Sequence, residues 1–242
     1  MKQGKRAGDY VTNGTIPEIG ALGADGGGSS GGNRLQPFSA IRKTVVRKYY
    51  SSLERYLGFL LNSGISPNFI TVAALLISFV AAYALSIGSF LTAGCLLFLA
   101  GFFDTLDGAI ARLKGQSSLY GALLDSTLDR YSEFSIFFGL LIYYRNDWIF
   151  FFIMLALLGS VMVSYIKARA QSLGRTRTVG LMQRPERLAV LVFGALLNPL
   201  SPYIVSGSPD FIMKSFLVLL AVLTNATAIR RLREGKKDLA SS

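Results

Sequence analysis

Several stretches of this chain stay apolar for about 20 residues at a time, enough to cross a bilayer as a helix, and no other feature constrains the fold as strongly. Inside lipid every backbone N–H and C=O must be satisfied within the chain, which leaves helices or a closed barrel. The runs are continuous rather than alternating, so they point to helices. Six spans are expected, at about residues 67–87, 90–111, 119–144, 148–169, 185–206 and 209–231. Pro67, Pro185 and Pro209 suit first helical positions, where a missing N–H costs nothing. The expected fold class is therefore an all-α integral membrane protein.

The flanks read differently. Residues 1–37 are rich in Gly and Ser and poor in apolar side chains, which predicts a disordered tail. Residues 38–64 mix basic and apolar residues at helical spacing, which predicts an amphipathic helix lying on the membrane surface. Residues 65–235 form the helical domain, and 236–242 a C-terminal tail.

Net charge is +11, which in such a chain reports topology rather than a nucleic-acid partner. Of 25 Lys and Arg, only Arg145 and Lys214 fall in or beside the loops after the third and fifth spans, and the loop after the first has none. The N-terminal region, the other loops and the C-terminus hold nearly all the rest. Both ends are then expected on the cytoplasmic side of the cell membrane, with the chain crossing an even number of times. There is no histidine, and Cys95 is the single cysteine. The commonest general base and transition-metal ligand are thus missing, and a bound metal should be a hard cation on oxygen, Mg²⁺ or Mn²⁺.

Against this background the stretch DTLDGAIARLKGQSSLYGALLDSTLDR, residues 104–130, is unexpected. Asp104, Asp107, Gly108 and Ala111 share one helix face, and Gly121, Asp125 and Asp129 share a face of the next. A short connection makes the two helices antiparallel neighbours, so these faces can meet. A carboxylate deep in a bilayer costs about 2.5–3.5 kcal/mol, and four together repel one another. Buried Asp–Arg pairs, an acidic site in a cation transporter, or two divalent ions serving phosphoryl chemistry would each offset the cost.

The full spacing, Asp104-x2-Asp107-Gly108-x2-Ala111-Arg112-x8-Gly121-x3-Asp125-x3-Asp129, resembles the signature of the CDP-alcohol phosphatidyltransferase family. That resemblance implies six spans, a homodimer, and transfer of a phosphatidyl group from CDP-diacylglycerol to an alcohol with loss of CMP. It implies that Asp104, Asp107 and Asp125 hold two divalent metals, and that Asp129 contacts metal and takes the proton of the acceptor hydroxyl. Asn68, Thr71, Asp107, Gly108, Arg112, Ser118 and Gly121 match positions on the CDP-lipid side.

A second constellation bears on the acceptor. SYIKARA closes the fourth span and RPERL opens the fifth, which puts Lys167, Arg184 and Arg187 near the mouth where the aspartates gather, and Arg231 closes the sixth span there. Positive-inside flanking charge accounts for such a cluster, and so does an anionic acceptor. These segments resemble those of the phosphatidylinositol phosphate synthases, a bacterial subgroup. The resemblance implies a phosphorylated polyol, inositol 3-phosphate, held by Lys167, Arg187 and Arg231 with Arg184 beside them. Glycerol 3-phosphate, or an archaeal-type lipid donor, stays open at this point.

Overall fold

The computed structural model describes residues 66–113, 118–174 and 182–240, so the expected tail at 1–37 and surface helix at 38–64 lie outside the described residues. Those described are helical with no strand. The long helices are α1 (Pro67–Ser86), α2 (Phe90–Leu113), α3 (Leu119–Tyr143), α4 (Ile149–Ser172) and α5 (Arg184–Leu197). A 3-10 turn (Asn198–Leu200) and a short α6 (Ser201–Ile204) precede α7 (Phe211–Ala240). Among the described residues, five segments suffice by length and composition to cross a membrane: Asn68–Ser86, Phe90–Ala111, Ile149–Ser172, Arg184–Ile204 and Phe211–Lys236. The 25-residue α3 has the length, but Asp125, Asp129, Arg130 and Glu133 lower its apolarity.

Local chemistry sets the helix starts. The hydroxyl of Ser66 accepts from Phe69 N at 3.3 Å, with Pro67 in the first turn. Ser118 does the same for α3, accepting from Gly121 N at 2.9 Å. Each such cap satisfies an orphan donor and is worth about 1 kcal/mol. Between α1 and α2 the chain reverses at Gly88, whose φ of +77° suits a residue without Cβ, and the Tyr143 ring packs against the space a Cβ would take.

Several expectations need correction, the first being that α2 and α3 pack side by side: each instead packs along α1. The fifth span is not one helix: α5 stops at Leu197 because Pro199 has no N–H to offer the preceding turn, and the chain tightens to a 3-10 turn. The break has a use. Asn198 Oδ1 accepts from Met213 N at 3.1 Å and Ser201 Oγ from Ile212 N at 3.0 Å, satisfying donors at the start of α7. Pro209 is likewise outside α7, which starts at Phe211 after a turn in which Ser208 N donates to Val205 O and Gly207 has φ +85°. At the other end α7 stays helical through Ala240, past the expected start of the tail at 236.

The apolar core occupies one half of the bundle. Leu85, Leu97, Phe137, Leu140, Ile153 and Leu217 are fully buried in it, drawn from the halves of α1, α2, α3, α4 and α7 remote from the aspartates. Close backbone contact tightens that half: Gly139 of α3 lies directly on Ala82 of α1. A polar rim closes the end. Asp210 accepts from Tyr143 Oη at 3.1 Å and from Asn198 Nδ2 at 2.9 Å, and Lys214 pairs with Asp147. The other half mixes polar side chains with buried apolar ones such as Ile70, Ile110 and Val163, and the candidate site occupies it.

Candidate active site

Asp104 and Asp107 descend from α2, Asp125 and Asp129 from α3, and the expected convergence is present. One carboxylate oxygen from each of Asp104, Asp107 and Asp125 lies within 4.8 Å of the others. Oxygens on a common Mg²⁺ or Mn²⁺, each at about 2.1–2.5 Å from the ion, span up to about 5 Å, so this set fits. Asp107 adds a second sign. The Thr71 hydroxyl hydrogen-bonds its carboxylate, yet its Oδ2 is buried and accepts no hydrogen bond from the described residues. A buried carboxylate oxygen without a donor is costly unless a cation faces it. The all-oxygen donor set and this orphaned acceptor together fit a hard divalent cation.

Asp129 stands one turn beyond Asp125 and is drawn to the same cluster by Arg184. A single guanidinium nitrogen, Nη1, lies 2.6 Å from Asp104 Oδ1 and 2.7 Å from Asp129 Oδ1, bridging α2 and α3 from the first residue of α5. Arg184, expected beside the acceptor phosphate, is thus placed on the carboxylates. It neutralises part of their mutual repulsion in a region where water screens little.

The positions expected on the CDP side also gather. A Cβ built on Gly121 would lie 3.0 Å from Ser118 Oγ and 3.9 Å from Asn68 Oδ1, so the starts of α1 and α3 abut here. Ser118 is engaged as the cap of α3. Gly108 is half-buried behind Asp107, and the side chain of Arg112 lies outside the described residues.

The basic residues form a second layer deeper in the bundle. Arg187, on α5, is only 2% exposed. Its Nε donates to Glu133 Oε1 at 2.7 Å and its Nη1 to Met182 O at 3.1 Å, with Nη2 3.5 Å from Ser164 Oγ. Arg231 Nη1 donates to Val163 O at 2.6 Å, so Arg187 and Arg231 meet α4 at adjacent residues. Lys167 is half-buried one turn further along α4. A cavity joins the layers, with Asp104, Asp129, Arg184, Glu133 and Arg187 on its wall. On the same wall, Ser132 Oγ donates to Ser78 Oγ at 2.7 Å, tying α3 to α1.

Glu133, Ser164 and the Ser78–Ser132 pair are absent from the residues expected from sequence. Glu133 carried a usable signal: it follows Asp129 by four, continuing the spacing of Asp125 and Asp129. Ser164 carried none.

Comparison with known proteins agrees with this geometry. A family profile described as CDP-alcohol phosphatidyltransferase matches residues 64–227. The archaetidylinositol phosphate synthase of Pyrococcus horikoshii is 36% identical over 193 residues, covering 79% of this chain and 95% of that protein. The phosphatidylinositol phosphate synthase of Mycobacterium tuberculosis is 33% identical over 180 residues, covering 72% of this chain and 80% of that protein. Its crystal structure with CDP-DAG bound is similar with a TM-score of 0.65 and 31% identity, covering 76% of this chain and 92% of that one. Its complex with manganese and citrate gives a TM-score of 0.65 at 30% identity, covering 76% and 87%.

Proposed function

The chain belongs to the CDP-alcohol phosphatidyltransferase family, and we propose that it transfers the lipid phosphate of a CDP-linked glycerolipid to a phosphorylated inositol, releasing CMP. The observation that carries the proposal is one cavity wall shared by five charged groups: Asp104 and Asp129 with Arg184 at one end, Arg187 with Glu133 at the other. The acidic end suits the cationic side of a CDP-pyrophosphate complex, and the basic end suits an acceptor that carries phosphate. A neutral alcohol would give the basic end nothing to bind. Relatives named for archaetidylinositol phosphate and phosphatidylinositol phosphate synthesis support an inositol phosphate acceptor.

In the proposed reaction Asp104, Asp107 and Asp125 hold two divalent ions, Mg²⁺ or Mn²⁺. Such ions neutralise charge on the pyrophosphate and on the departing CMP. Asp129 accepts the proton of the acceptor hydroxyl. That oxygen bonds to the lipid-side phosphorus as the phosphorus–oxygen bond to CMP breaks. Asn68, Ser118 and Gly121 bound the space proposed for the nucleotide, where glycine permits close approach of the backbone. Arg187, Arg231 and Lys167 fix the acceptor phosphate, converting an encounter of two substrates into an oriented one. The membrane arrangement proposed with this chemistry has α3 as a sixth crossing, the site and both chain ends on the cytoplasmic side of the cell membrane, and two copies in a homodimer.

The test is a panel in detergent micelles. CDP-diacylglycerol and its archaetidyl counterpart are each offered with inositol 3-phosphate, glycerol 3-phosphate, free inositol and serine, and lipid products are identified by mass. Inositol 3-phosphate should give product with CMP release, with loss of activity on EDTA treatment and recovery with added Mn²⁺. Product only from a neutral alcohol would overturn the acceptor assignment. Full activity after exhaustive chelation would overturn the metal assignment. Lys167→Ala and Arg187→Ala are expected to raise the acceptor KM at least about tenfold, the loss of one charge-assisted contact.

A further inference from the structure

We propose that Glu133 is a positioning residue that aims Arg187 at the acceptor phosphate and keeps it away from the catalytic carboxylates; this rests on the acceptor role given to Arg187 above. Glu133 is buried within the membrane part of α3, a costly place for a carboxylate. Its two oxygens are divided between two arginines. Oε1 accepts from Arg187 Nε and Oε2 from Arg130 Nη1, each at 2.7 Å. Ser164 completes the group: its hydroxyl accepts from Arg130 Nη1 at 2.6 Å and donates to Ser160 O at 3.1 Å.

Two features separate this from an ordinary buried ion pair. The first is charge balance. Two guanidiniums share one carboxylate, so the group keeps one surplus positive charge, beside a cavity that also holds Asp129. An acceptor phosphate supplies the missing negative charge. The second is which edge of Arg187 is used. Glu133 takes the Nε edge. The Nη nitrogens remain, one on a carbonyl at 3.1 Å and one 3.5 Å from a hydroxyl, the latter at the limit of hydrogen bonding. Neutral partners are weaker than a phosphate, so these contacts are the exchangeable ones.

Position along the helix explains why a carboxylate is needed. Asp129 lies one turn before Glu133 on the same face. Arg184, with no glutamate of its own, already rests on Asp104 and Asp129. Without Glu133, Arg187 is left on the wall of a cavity that also holds Asp129, and Arg130, next to Asp129 in the chain, loses its carboxylate partner. A second arginine there would compete with the acceptor hydroxyl for the base. Glu133 thus protects Asp129 by binding its competitors.

The experiment compares E133Q, E133D, R187K and E133Q/R187K as full-length protein in micelles at saturating Mn²⁺, with inositol 3-phosphate as acceptor and CDP-diacylglycerol as donor. E133Q keeps the shape and loses the charge; it should raise acceptor KM about tenfold while donor KM and Mn²⁺ binding by EPR stay unchanged. E133D restores the charge one methylene short and should raise acceptor KM about threefold. In the R187K background E133Q should add little, because both changes act on one contact. If R187K raises acceptor KM and E133Q, with a melting temperature near that of the parent, does not, the role of Glu133 is overturned and the acceptor pocket stands. If neither changes acceptor KM, the pocket itself is wrong and the proposal falls with it. Should E133Q fail to fold, E133D decides: an unchanged acceptor KM overturns the role.

Discussion

Asp129→Asn is expected to lower turnover by about 100- to 10,000-fold, the usual worth of a positioned general base, while CDP-lipid binding stays near its original value. The substitution preserves volume and hydrogen-bonding reach but removes the capacity to accept a proton. The fold has reason to tolerate it. Asp129 has one described ion-pair partner of short length, Arg184, and Arg184 retains Asp104 at 2.6 Å. The measurement is CMP release and lipid product under single-turnover conditions at saturating Mn²⁺, so that weakened metal binding does not imitate a lost base. Turnover within about tenfold of the parent would remove Asp129 from the role, since no base of that kind is worth so little.

The largest expected loss of stability comes from Gly139→Ala, at the opposite end of the bundle. A Cβ there would lie 2.2 Å from Ala82 O, 2.9 Å from Ala82 C and 3.1 Å from Ala82 Cα. All three are backbone atoms, so no rotamer change relieves the overlap and α1 must move off α3. Overpacking of this kind costs about 1–3 kcal/mol, which for a chain of this size lowers Tm by about 2–12 °C. Gly235→Ala is the control. It lies in α7 with nothing within 4 Å of its added methyl, and the better helix former is expected to leave Tm level or slightly raised. Thermal unfolding of the purified protein in detergent compares the two. Equal melting temperatures would mean that α1 and α3 do not approach as closely as described.

The meeting of the aspartates of α2 and α3 was readable from sequence, because spacings of three and four put Asp104 with Asp107 and Asp125 with Asp129. The expected side-by-side packing of the two helices was not: each packs along α1, which holds their acidic faces together. The partners of the arginines were not readable. Arg187 reaches Glu133 across 54 positions and Arg184 reaches Asp104 across 80, and nothing local in RPERL says which anion each guanidinium meets. The break after Leu197 had a visible cause in Pro199, but its consequence did not. That Asn198 and Ser201 turn their side chains to the first N–H groups of α7 depends on how two remote helices dock. Apolar length alone hid α3 in a different way. Asp125, Asp129, Arg130 and Glu133 keep it out of the segments apolar enough to cross a membrane by composition, and they are the side chains that carry its part of the site.

The buried aliphatic and aromatic packing and the Tyr143–Asp210–Asn198 rim lie together in one half of the molecule. A bundle fastened there behaves like a pair of tweezers. The tips on the aspartate side are held instead by polar links, Arg184 to Asp104 and Asp129 and Arg187 to Glu133, and any separation of the helices there has to break these. Amide exchange should accordingly be slowest around Leu140, Ile153 and Leu217 and faster at the beginnings of α1, α3 and α5. Mechanical integrity is thereby assigned to the end of the bundle remote from the aspartates, and a substitution that loosens one end need not disturb the other.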